Sequence, residues 1–148
     1  MEHASYKPGR LILCKLEHGA ELVQSILRFV HEKRVKMAVF EVIGSVKEAE
    51  IAYYQQHKQT YSTTKLKQPL EIAHCFGNLS FKEGIPFPHI HVVLADAKGR
   101  AYAGHLISAK VFAAELHLQE LLGKKLEREH DTTTGLSLWN FGRRPNAQ

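Results

Sequence analysis

Apolar positions along the chain follow two periods, with one helical stretch set among several strand-like ones. Leu22, Val23, Ile26, Leu27 and Val30 recur at helical spacing while Glu21, Gln24, Arg28 and Glu32 fall mostly on the other side, which predicts one amphipathic helix from about Ala20 to Lys33. Its stripe reads as core packing. Before it, Arg10-Leu11-Ile12-Leu13-Cys14-Lys15-Leu16 is apolar on both faces apart from Lys15, the pattern of a buried strand. After it, Met37 to Gly44 forms a second apolar strand containing Glu41, a carboxylate that must face solvent, pair with a cation or serve a site. Val46 to Gln56 alternates imperfectly and reads as a strand with a bulge. Thr60 to Thr64 reads as a short edge strand or loop, and Leu70 to Phe81 as a long strand with Gly77 suggesting a bend.

The stretch from Pro86 to Leu106 has the form of a β-hairpin, with β-branched and apolar residues on both sides of Asp96-Ala97-Lys98-Gly99. An odd-numbered loop, either Ala97 to Gly99 or Asp96 to Arg100, sets His91 directly opposite His105. An even-numbered loop puts them on opposite faces. In the odd case His89 and His91 share a face by alternation. An opposed residue has its Cβ only about 4.5–5.5 Å away, so three imidazoles converge, an arrangement that zinc commonly uses. Gly104, beside His105, is a place where backbone can pack closely.

Two later segments are harder to read. Val111 to Leu122 is rich in alanine, leucine and glutamate, which favours helix, yet Glu115, His117 and Gln119 alternate with apolar neighbours at strand period. As a strand it pairs with the strand of His105, and Glu115 becomes a candidate partner for the histidines beside solvent exposure. Lys124 to Asp131 reads as a charged connector, and Asp131 to Phe141 as a segment docking its apolar residues. The whole is an α+β domain, a mainly antiparallel sheet packed with one main helix. One domain spans 1–148, with an ordered core at about 8–141 and a basic tail at 142–148.

Composition narrows the picture modestly. With 44% hydrophobic and 24% charged residues the chain falls in the ordinary globular class rather than a disordered or fibrous one. The start of the chain has no apolar signal-peptide core, and no run approaches the ~18 apolar residues of a membrane span. A cytoplasmic protein without membrane contact is expected. Cys14 and Cys75 lack C-x-x-C spacing and read as two buried, reduced thiols. The net charge of +5 permits contact with nucleic acid. It is scattered over Arg28, Lys33, Arg34 and Lys36, over Lys58, Lys65 and Lys67, and over Arg143 and Arg144, each more readily a solvated face. His3, His18, His31, His57, His117 and His130 read as solvated, and His74 as a core histidine before a ligand. Tyr53, Tyr54, Phe76, Phe81 and Trp139 suit a core or subunit contact better than base stacking.

The order of Gly-Arg-Leu-Ile-Leu, the helix, Val-Ile-Gly-Ser-Val, Gly-Asn-Leu-Ser, Pro-His-Ile-His-Val-Val-Leu-Ala-Asp and Gly-His-Leu resembles the plants-and-prokaryotes-conserved (PPC) domain over nearly the whole chain. That resemblance implies a homotrimeric α+β domain. For the prokaryotic single-domain members it implies a metal site, here His89, His91 and His105, and it makes the segment of Glu115 a strand. In plants the domain sits beside AT-hook motifs that read the minor groove. Gly142-Arg143-Arg144-Pro145 has the wrong order for such a hook.

Two functions remain open at this point. One is a trimeric metal-binding module, holding zinc or another divalent ion, that regulates or touches DNA weakly through its positive surface. The other is a small-molecule metalloenzyme in which three histidines leave a metal-bound water as nucleophile. The second requires an acid or base, for which Glu41, Glu115 and His74 are the candidates.

Overall fold

Nearly every apolar stretch outside the helix joins one sheet in the computed structural model, which describes residues 1–142. Arg143 and Arg144, and with them the expected tail, lie outside the described residues. In chain order the elements are β1 (Lys7–Leu16), α1 (Leu22–Glu32), β2 (Ala38–Gln55), β3 (Thr60–Leu66), β4 (Leu70–Lys82), β5 (Ile85–Ala95), β6 (Ala101–Leu122), β7 (Glu127–His130) and β8 (Ser137–Asn140). Among the described residues the chain is mostly β-sheet with a single short helix.

The sheet runs β3-β2-β6-β5-β4-β7-β8, with β1 added along β6. Because β2 also hydrogen-bonds β4, strands β2, β6, β5 and β4 close on themselves. Opposed pairs followed once round this closure, from His105 through His91, Phe76 and Glu41, return to β6 at His117. That offset of twelve positions along one strand is the stagger that closing a tilted sheet demands. Phe40, Val42, Leu79, Ile90, Leu94, Leu116 and Leu118 fill the interior.

Helix α1 buries Leu22, Ile26 and Val30 in this core, each contributing about 1.5–3 kcal/mol by burial. Glu21 caps it, accepting from the Val23 amide at 3.2 Å and the Gln24 amide at 2.7 Å. The same carboxylate accepts from the Ala109 amide at 3.0 Å, tying the helix start to β6.

Several expectations change. The two strands expected from Met37 to Gly44 and from Val46 to Gln56 are one strand, β2, which passes Gly44 at φ 128°. A side chain at Gly44 would strike the Ala113 carbonyl oxygen. The segment of Glu115 is indeed a strand, but it continues the strand of His105 instead of pairing with it, and register shifts opposite β2 let it bend past successive partners. The Arg10–Leu16 strand is not buried on both faces: Leu11 and Leu13 are 69% and 67% exposed, since among the described residues β1 pairs only with β6 and no other element covers its outer face. β4 keeps its register with β5 through Gly77, which leaves room for the Phe40 ring. His74 is exposed rather than in the core, because the register shift after Ile72 turns it outward. Cys75 is buried and Cys14 only half-buried.

Candidate metal centre

The β5–β6 hairpin closes through the loop Asp96 to Arg100, one of the two odd-numbered alternatives. Asp96 Oδ1 accepts from the Lys98 amide at 2.9 Å and the Arg100 amide at 3.0 Å, while Arg100 Nε donates to Oδ2 at 2.7 Å. Gly99 supplies the positive φ, 75°, that this turn needs. Against some desolvation, these hydrogen bonds hold the Asp96 carboxyl below its ordinary range. The local chemistry of one aspartate and one glycine thereby fixes the register.

That register sets His91 opposite His105. His89 follows on the same face, and the three rings lie 5.0, 5.2 and 5.8 Å apart between centroids. One nitrogen from each lies within 4.8 Å of the others. Gly104 is required by close approach: a Cβ there would sit 2.7 Å from the Ala52 carbonyl oxygen on β2. Any larger residue would push β6, which carries His105, away from β2.

The electrostatics favour neutral imidazoles at His89 and His105. Burial, then the charge of Arg128, then the neighbouring His105 and His91 push His89 down to about 4. Burial, with His91 and Arg128, lowers His105 as well. His89 and His105 therefore present lone pairs at neutral pH. His105 Nδ1 is buried without a hydrogen-bond partner, and such an orphan beside two other imidazoles fits a metal ligand. No aspartate, glutamate or cysteine joins the group among the described residues.

The remaining candidates stand elsewhere. Glu41 is exposed on the outer face with Phe76 between it and His91 in the cross-strand row. Glu115 is exposed opposite Lys15 and Ile43, ten positions along β6 from His105. At about 3.3 Å per residue that is roughly 33 Å of strand, so within one chain Glu115 does not support the histidines.

The residue that sequence reading missed is Arg128. It lies in the supposed connector, on β7, and is only 8% exposed. Its Nε donates to Ser80 Oγ at 2.8 Å, Nη2 to Asn78 Oδ1 at 3.0 Å and Nη1 to the Ser137 carbonyl at 3.1 Å. Its guanidinium lies 5.5 Å from the Phe87 ring centroid and 5.3 Å from that of Trp139. Asn78 is directly opposite His89, so the arginine network abuts the three-histidine group. Nothing in Glu127-Arg128-Glu129-His130 signals burial. A cavity of about 300 Å³ opens beside it, lined by Tyr61, Phe87, His89, His105, Arg128 and Leu138 among others.

Fold and site together define a closed-sheet domain with a three-histidine group able to hold a metal. The chain belongs to the Plants and Prokaryotes Conserved (PCC, also PPC) domain family, whose model matches residues 3–122. It is similar to a metal-containing protein from Archaeoglobus fulgidus, with 42% identity and a TM-score of 0.91 over 95% of this chain and 99% of that one. It is also similar to a plant- and prokaryote-conserved protein from Pyrococcus horikoshii, with 37% identity and a TM-score of 0.88 over 95% and 97% of the two chains. A curated relative, the bifunctional protein GlmU of Synechococcus sp. (strain JA-3-3Ab), is 29% identical over 129 residues. That match takes in 85% of this chain but spans only 20% of the relative's length.

Proposed function

We propose that this chain is a metal-binding PCC-domain protein in which His89, His91 and His105 hold a divalent cation, and that it acts as a trimeric regulatory or ligand-binding module. The observation that carries this reading is the convergence of three imidazole nitrogens within 4.8 Å. The orphaned His105 Nδ1 and the likeness to a metal-containing protein at 42% identity support it. Imidazole donors suit zinc, copper, iron and nickel, and zinc is the ion proposed because three-histidine sites are common for it. The unpaired Cys14 and Cys75 support a reducing, cytoplasmic setting.

The trimer is supported by the apolar side chains that one chain leaves exposed, Leu11, Leu13, Ile43 and Phe112 among them. Contact with DNA rests on separate exposed basic groups at Lys58, Lys65 and Lys67 and at Arg28, Lys33, Arg34 and Lys36. Such patches give weak binding that falls steeply with salt.

A metalloenzyme is the second reading, favoured by the cavity that opens on His89 and His105. A divalent metal held there supplies Lewis acidity toward an oxygen ligand. The chain's own residues would bind and orient that ligand against the cavity wall. Plasma mass spectrometry on tag-free protein tests the primary reading. About one transition metal per chain, lost in the His89→Ala/His91→Ala/His105→Ala variant, is the expected result; negligible metal in the unaltered protein after growth with zinc, and after direct reloading, would overturn it.

A further inference from the structure

Lys82 and Arg128 are directly opposed in the parallel pairing of β4 with β7. Two like charges facing each other in a sheet destabilise it unless something lies between them. Among the described residues no carboxylate forms an ion pair with either. Glu127 and Glu129 alternate to the other face of β7. Arg128 is nonetheless buried, held by the neutral acceptors Ser80, Asn78 and Ser137 and flanked by Phe87 and Trp139. A buried guanidinium with neutral partners alone leaves its charge uncompensated. Of its five N–H groups three are used, which leaves one on each terminal nitrogen free to donate to a carboxylate or phosphate.

Both residues line the cavity beside His89 and His105. Its roof is the turn before β8, where Gly135 packs on Tyr54, and Tyr54 Oη donates to the Thr134 carbonyl at 2.6 Å. Tyr61 closes another side, its ring centroid 5.9 Å from that of His105. A space of about 300 Å³ walled in this way suits a small molecule rather than a polymer.

We propose that this cavity binds a small organic anion, its carboxylate or phosphate held by Arg128 and Lys82 and its remainder directed toward His89 and His105. The inference deepens the metal-binding reading by naming the ligand class, and rests on it for the role of the histidine end. The anion would neutralise the Lys82–Arg128 repulsion and cover the spare guanidinium donors.

Calorimetric titration of the full chain tests this, with sodium benzoate as the carboxylate probe, phenyl phosphate as the phosphate probe and benzylamine as the cationic control. Metal content is measured on each sample. Benzoate or phenyl phosphate, and not benzylamine, binds at one site per chain, and which of the two binds tells the carboxylate from the phosphate source. Arg128→Met and Lys82→Met each weaken the binding tenfold or more, a loss of about 1.4 kcal/mol, while Arg128→Lys retains part of it because charge remains but the fork is lost. Should Arg128→Met fail to fold, Lys82→Met decides alone. The inference is overturned if neither anion binds the unaltered protein up to millimolar concentration, or if the methionine variants bind as it does. Metal without anion binding leaves the metal reading standing and removes this one; anion binding without metal does the reverse.

Discussion

His91 stands opposite His105 in the β5–β6 ladder, their ring centroids 5.8 Å apart, and the relationship is set five residues beyond His91 by the side chain of Asp96. A turn one residue longer or shorter would carry His105 to the other face of the sheet.

Asp96→Ala removes the acceptor for two loop amides and for the Arg100 side chain, and so loosens the register that joins the histidines. The variant melts at a lower temperature and binds zinc more weakly than the unaltered protein. Asp96→Asn, which keeps an acceptor, falls between the two. Thermal unfolding with and without added zinc provides the measurement, and equal zinc affinity in all three proteins would separate the site from the turn.

Gly104→Ala brings a Cβ against the Ala52 carbonyl. Neither strand can give without moving the other, so the cost is about 1–3 kcal/mol by overpacking. Denaturant unfolding reads this directly. Gly19→Ala serves as a control for a glycine with open space around it, its φ of 80° still exacting a backbone penalty.

An acid-side pH dependence belongs to Glu120. Hydrogen bonds from Arg10 Nε at 2.7 Å and Nη2 at 2.9 Å hold this carboxyl below the ordinary glutamate range. Stability from a lowered carboxyl is fully present above its unfolded pKa and is lost as pH falls through the folded one. Glu120→Gln therefore unfolds more easily at neutral pH and shows a flatter decline into acid. Parallel stability curves for the two proteins from neutral to acid pH would contradict this.

The exposed apolar face of β1 carries a prediction about assembly. Leu11→Glu/Leu13→Glu introduces charge where a neighbouring chain would cover the strand, with little effect on the interior that these residues do not reach. Sedimentation gives the mass of three chains for the unaltered protein and of one for the variant. A monomer in both would remove the trimer.

The sequence carried the helix and the hairpin because each rests on local chemistry. The stripe from Leu22 to Val30 needs only helical spacing, and the hairpin needs only Asp96, Gly99 and alternation. What stayed illegible depends on partners distant in the chain. Whether Leu11 and Leu13 are covered is decided by which strands flank β1. Where Glu115 sits relative to His105 is decided by whether β6 turns back or continues, and alternation is the same in both cases. Arg128 shows the limit most plainly: among the groups that surround it, Ser80, Asn78 and Phe87 lie more than forty positions away, and a short charged stretch gives no sign of them.

The central claim is that the hairpin assembles a metal site from three imidazoles and no other side chain. X-ray absorption at the zinc edge of the loaded protein tests it most directly. The account predicts three imidazole nitrogens at about 2.0–2.1 Å and no sulfur, with the imidazole scattering lost when His89, His91 and His105 are replaced by alanine. A sulfur neighbour at about 2.3 Å, or imidazole scattering that survives the triple replacement, would contradict it.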